Sequence, residues 1–188
     1  MSLVELVDNI KTDKNTVHSY LDIYDILLAK KKTTAKNILE IGICDGGSMK
    51  LWSDFFINAT IYGLDIMKID DVWDKIRNKT NLVLYTSTDA YNLSFFTNTF
   101  LNTNMKFDFM LDDGPHTLES MKTFIKLYSQ LMTDDGILII EDVQEWDWIE
   151  ILKRETPDHL KKYIVVHDLR KNKNRYDDIL FIIDKSQG

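Results

Sequence analysis

The sequence is poor in cysteine, proline and glycine, with one Cys, two Pro and seven Gly among 188 residues. The single thiol, Cys44, excludes an intrachain disulfide and leaves a cysteine-based zinc site without a second thiolate. Pro115 and Pro157 are the only prolines, so no Pro- or Gly-rich linker divides the chain, and there is no internal repeat. No apolar run approaches the ~18 residues of a membrane-spanning helix, and the N-terminus carries no basic-then-apolar leader. An excess of positive charge is also lacking. Lys and Arg number 23 against 30 Asp and Glu, a net charge of −7, which gives no electrostatic footprint for nucleic acid. These absences predict a cytoplasmic protein with neither a membrane nor a nucleic-acid partner.

What is present suits one folded domain. The chain is 44% hydrophobic and carries nine Phe, eight Tyr and four Trp. Its length fits a single domain by the usual prior of ~150 residues, and folding should bury roughly 70% of the unfolded surface. The expected organisation is one unit over 1–188, with an N-terminal helical segment over 1–34 and a catalytic fold over 35–188.

Between about Thr16 and Lys32, Val17, Tyr20, Leu21, Tyr24, Leu27 and Leu28 have the spacing of an amphipathic helix. Short apolar runs follow at Asn37–Ile41, Thr60–Leu64, Leu82–Tyr85, Phe107–Leu111, Ile137–Ile140, Tyr163–Val166 and Ile179–Ile183. Helical patterns alternate with the first six, which predicts βαβ units and a parallel sheet. Only the polar stretch from Asp168 to Asp178 joins the last two runs, too short and too polar for a crossover helix. The last strand should therefore enter antiparallel. The predicted fold is α/β: a Rossmann-like, doubly wound, seven-stranded mixed sheet with its last strand reversed.

The first strand runs into a glycine turn and a helix start, Glu40-x-Gly42-x-x-x-Gly46-Gly47-Ser48. The three glycines let backbone approach a ligand closely, and Ser48 can cap the following helix. The dinucleotide fingerprint G-x-G-x-x-G is absent, because Cys44 stands where it needs a glycine. An acidic Glu40 would repel a pyrophosphate and suits a ligand with an amino group or sulfonium. Asp65, ending the second strand, can accept from ribose hydroxyls. Asp89, after the third, is placed to reach an adenine amino group or to cap the next helix. Together these positions resemble the S-adenosylmethionine site of class I methyltransferases.

The fourth strand ends in Asp112-Asp113-Gly-Pro-His116 and the fifth in Glu141-Asp142. Four carboxylates at one rim, with no Lys or Arg nearby in sequence, repel unless a cation joins them. Oxygen ligands of this kind suit magnesium. A histidine side chain, ordinarily titrating near ~6.5, suits proton removal from a hydroxyl at neutral pH. The alternative is a plain Asp-Asp-Gly turn with His116 capping the next helix.

With these motifs the chain resembles the magnesium-dependent sugar O-methyltransferases of natural-product biosynthesis. The resemblance implies Asp113, Glu141 and Asp142 as metal ligands and His116 as general base, with Asp113 alongside it in catalysis. The spacing of 28 from Asp113 to Glu141 selects Asp113 over Asp112, which falls to the cofactor side. It extends upstream to Thr12-Asp-Lys14…His18-x-Tyr20, so that Lys14, His18 and Tyr20 join Glu40, Gly42, Gly46, Ser48, Asp65 and Asp89 in holding the cofactor. For Tyr20 the alternative is a place in the core. Trp146 and Trp148 could stack on a sugar or pack inside.

The expected activity is S-adenosylmethionine- and Mg2+-dependent O-methylation of a sugar hydroxyl on a glycan or glycosylated small molecule. Methylation of a catechol-like or other vicinal diol is the alternative enzyme, and a non-catalytic cofactor-binding module the alternative of another class. A homo-oligomer stays open.

Overall fold

In the computed structural model, residues 1–187 are described. Seven strands, β1 (Asn37–Ile41), β2 (Thr60–Leu64), β3 (Leu82–Tyr85), β4 (Phe107–Asp112), β5 (Met132–Ile140), β6 (Ile164–Asp168) and β7 (Ile179–Asp184), form one sheet in the order 3-2-1-4-5-7-6. Its pairings are parallel from β3 to β5, while β7 runs antiparallel to both β5 and β6. The reversal follows from the short link, whose only helical piece is one turn over Arg170–Lys173. This is the mixed α/β sheet that the order of apolar runs predicts.

Side chains alternate between two buried faces, as expected of strands covered on both sides. Met110, Leu138, Ile140 and Phe181 pack with Phe124 and Tyr128 of α6 (Leu118–Tyr128), whereas Phe109, Ile139 and Ile182 pack with Trp52 and Phe55 of α3 (Gly47–Phe55). α1 (Leu3–Leu6) and α2 (Leu21–Leu28) both enter the second face, and α2 starts later than the periodicity predicts. The segment before it is a turn in which the amides of Thr16, Val17 and His18 all donate to the Asp13 carbonyl. Val17 is 41% exposed there, while Lys14, His18 and Tyr20 are buried. Polar partners on the sheet draw those three inward and override the helical pattern.

Register sets the site. Ile41 pairs with Leu64 and Asp112, and Asp112 pairs with Ile140, so the carboxyl ends of β2, β1, β4 and β5 lie level. One further rung crosses each pair. Gly42 donates to the Leu64 carbonyl, Asp113 to Ile41 and Glu141 to Asp112, at 2.9, 2.9 and 3.0 Å. The order reverses between β1 and β4, and a crevice at the carboxyl ends at such a switch point is where open α/β sheets bind ligands. No helix among the described residues is long and apolar enough to cross a membrane.

Candidate active site

A cavity of about 940 Å³ opens at this rim. Its walls include Gly42, Ser48, Asp65 and Asp89 from the first half of the sheet, Asp113, His116, Glu141 and Asp142 from the second, and His18 and Tyr20 from the N-terminal segment. Lys14, Glu40, Gly46 and Asp112 lie behind that wall.

The glycine half is built from backbone. Asp65 accepts from the amides of Ile43 and Cys44 through Oδ2 and of Met67 through Oδ1, each at 2.9 Å. Its carboxylate therefore holds the turn after β1 and still faces the cavity. The three glycines make room for the protein's own neighbouring atoms, and Gly42 and Gly47 also line the cavity. A Cβ on Gly42 would sit 1.9 Å from the Asp113 carbonyl oxygen, and one on Gly47 1.9 Å from that of Lys11. Gly46, at φ 95°, is the N-cap of α3, so Ser48 lies inside the helix and caps nothing. Asp89 accepts from the Tyr91 amide at 2.9 Å, and the cap of α5 (Leu93–Phe96) is Asn92.

The acidic half is built from side chains. Lys14, 1% exposed, donates to Asp113 Oδ2 at 2.6 Å and to Glu141, with Glu40 Oε1 at 3.6 Å. Burial alone would lower its pKa, but the carboxylates of Asp113, Glu141 and Glu40 outweigh this and raise it well above the lysine value. No basic residue stands near these acids in sequence; the counter-charge arrives from far along the chain. Tyr24 donates to Glu141 Oε1 at 2.5 Å, and Tyr20 donates to Asp142 Oδ1. Burial pushes Glu141 well above the carboxylate range, and raises Asp142 despite the nearby His18. Glu40 is fully buried, accepts from Trp52 Nε1 at 2.7 Å and is pushed up to about 7 by burial. It lies behind the cavity wall, against Trp52 and Lys14. Asp112 turns to the Tyr91 hydroxyl and is likewise raised by burial to about 7.

Asp113, His116 and Asp142 each offer a ligand atom within 4.8 Å of the other two, a donor set that fits a divalent cation. Glu141 lies outside this trio, because Lys14 and Tyr24 occupy both of its oxygens; the two aspartates are the oxygen donors, and His116 stands beside them. His116 Nε2 stands 3.8 Å from Asp113 Oδ1 and 3.6 Å from Asp142 Oδ2, gaps too wide for direct hydrogen bonds. His116 and Asp142 have φ of 52° and 53°, and Cys44 in the glycine turn 48°. Left-handed non-glycine residues of this kind concentrate at functional sites.

Two features escaped the sequence reading. Tyr91 donates its hydroxyl to the buried Asp112, and Asp177 and Asp178 belong to the same rim. A reversed β7 has to begin where the parallel strands end, so the Asp-Asp pair before Ile179 is the signal that finds them. Of the two tryptophans, Trp148 packs against the core, whereas Trp146 is 47% exposed with the Arg170 guanidinium 5.3 Å over its ring.

No protein-family model matches the chain. It is 24% identical over 147 residues to 8-demethyl-8-alpha-L-rhamnosyl tetracenomycin-C 2'-O-methyltransferase of Streptomyces olivaceus, covering 73% of this chain and 36% of that protein. Over 139 residues it is 28% identical to mycinamicin VI 2''-O-methyltransferase of Micromonospora griseorubida, covering 70% and 33%. The chain thus spans about a third of the length of these curated relatives. Among solved structures it superposes on the MycE methyltransferase of the mycinamycin pathway, in complex with Mg, SAH and mycinamycin VI, with TM-score 0.76 at 21% identity, over 100% of this chain and 55% of that one. Fibrillarin of Methanococcus jannaschii, a pre-rRNA processing protein, superposes with TM-score 0.62 at 16% identity, over 82% and 69%. These sequence relatives are sugar-directed O-methyltransferases, and the chain has the class I methyltransferase fold.

Proposed function

We propose that the protein is an S-adenosylmethionine-dependent O-methyltransferase that acts on a sugar hydroxyl of a glycan or glycosylated small molecule, with magnesium. The observation that carries this reading is the placement of His116 Nε2 on the cavity wall, 3.6–3.8 Å from two aspartates. The sugar-directed activities printed for the relatives support the acceptor class.

Asp113 and Asp142 would hold the metal, with Glu141 behind them. Bound there, magnesium would supply Lewis acidity to an acceptor hydroxyl. The glycine half, with Asp65 and Asp89, would hold the nucleoside of the methyl donor so that its methyl faces His116. His116 takes the hydroxyl proton at Nε2 as the oxygen forms its bond to the methyl carbon and the carbon–sulfur bond breaks. The products are the methyl ether, the neutral thioether and a protonated imidazole. Lys14, Tyr20 and Tyr24 keep the carboxylates oriented, and in this sense residues 1–34 work as one unit with 35–188. Trp146 is the exposed face on which a sugar ring can stack. The reaction is assigned to the cytoplasm, in keeping with a single unpaired cysteine, and to neither a nucleic-acid nor a membrane partner.

Methyl transfer from labelled S-adenosylmethionine to a panel of rhamnosides tests the reading. Transfer should stop on exhaustive chelation by EDTA and return with magnesium. Transfer that survives chelation refutes the metal's part in it.

A further inference from the structure

A second cluster adjoins the first. His18, Asp177 and Asp178 also offer three ligand atoms within 4.8 Å of one another, and they are 4%, 5% and 0% exposed. His18 Nδ1 lies 2.6 Å from Asp178 Oδ1, and Arg175 donates to Asp177 Oδ2 at 3.0 Å. The other oxygens, Asp177 Oδ1 and Asp178 Oδ2, are buried with no hydrogen-bond partner among the described residues. A buried polar atom without a partner costs about 1–3 kcal/mol, more when charged. Two in adjacent residues, beside a histidine, leave acceptor capacity that the Arg175 ion pair to Asp177 does not use.

Asp142 stands between the clusters. Its Oδ2 faces His116 at 3.6 Å and its Oδ1 faces His18 at 3.3 Å. A divalent ion at this place would replace the proton that His18 Nδ1 and Asp178 Oδ1 share at 2.6 Å and would have the free oxygens of Asp177 and Asp178 beside it. One imidazole with carboxylates favours a transition-series ion such as Mn2+ over magnesium.

We propose that His18, Asp177 and Asp178 form a second divalent-cation site that shares the Asp142 carboxylate with the Asp113–His116 cluster. Its ligands come from the N-terminal segment and from the start of β7, so the ion ties the segment to the sheet. The site stands on its own residues and meets the proposed reaction only at Asp142.

Mn2+ binding to the full chain, counted by electron paramagnetic resonance and calorimetry, tests this. Two ions per chain are expected in the wild type and one in each of D113N and D178N, with H18Q repeating the loss should D178N not fold by circular dichroism. One ion, lost in D113N and kept in D178N and H18Q, overturns the second site and leaves the proposed function standing. One ion lost in D178N but kept in D113N supports the second site and removes the metal from Asp113. Two ions retained in both D178N and H18Q, or none in the wild type, overturn the proposal.

Discussion

The two halves of the rim handle negative charge in different ways. On the glycine side, Asp65 is satisfied by amides within about one turn of the loop it braces. On the acidic side, Glu141, Asp113 and Asp142 are satisfied by Lys14, Tyr20 and Tyr24, which lie on a segment 99 to 127 residues away. A carboxylate held by backbone keeps its place whatever the neighbouring side chains are. One held by distant side chains can be moved, uncovered or re-paired by a ligand. Binding a donor needs the first property, and exchanging a cation and a proton needs the second.

Substitutions can break this contrast. The largest effect is expected for His116→Ala, which should lower turnover ~10²–10⁴-fold while S-adenosylmethionine affinity, measured by calorimetry, stays unchanged. Equal losses in both would merge the two halves. Lys14→Met should destabilise the fold by about 3–5 kcal/mol in urea denaturation, because it strips the counter-charge from buried acids. Asp65→Asn should lose about 1–3 kcal/mol of charge-assisted hydrogen bonding and weaken the donor's binding, with turnover at saturating donor largely kept. An effect of Asp65→Asn on the proton-transfer limb of the pH–rate profile would go against the division.

The smallest effect concerns pH. Glu40 keeps its proton to about 7 in the fold, against 4.5 for the free side chain. The folded state therefore binds more protons across that window, and stability falls as pH rises from about 4.5 to about 7. Glu40→Gln should flatten that part of a plot of Tm against pH. A slope unchanged by the substitution would mean that Glu40 ionises in the fold as it does in the open chain.

Much of the fold can be read in the apolar runs, because each strand is a short β-rich stretch and each link is either long enough or too short for a crossover. The rim acids can also be read, since they end those strands. What could not be read is which way each acid turns. Asp112 and Asp113 are neighbours on a strand end and so face opposite sides, one toward Tyr91 and the other toward Lys14. Only the fold decides that Glu40 meets Trp52. The helix start predicted at Thr16 was misplaced for the same reason, since the residues before Leu21 answer to partners on the sheet more strongly than to their own periodicity.

The bond from His18 to Asp178 joins positions 160 apart. Asp178 follows β1 to β5 in the chain, so His18 finds its partner only when the last strand is in place. Contacts of such long range are slow to form, so cation binding that needs His18 and Asp178 should appear late in refolding, after the fluorescence change of Trp52 against the sheet is over.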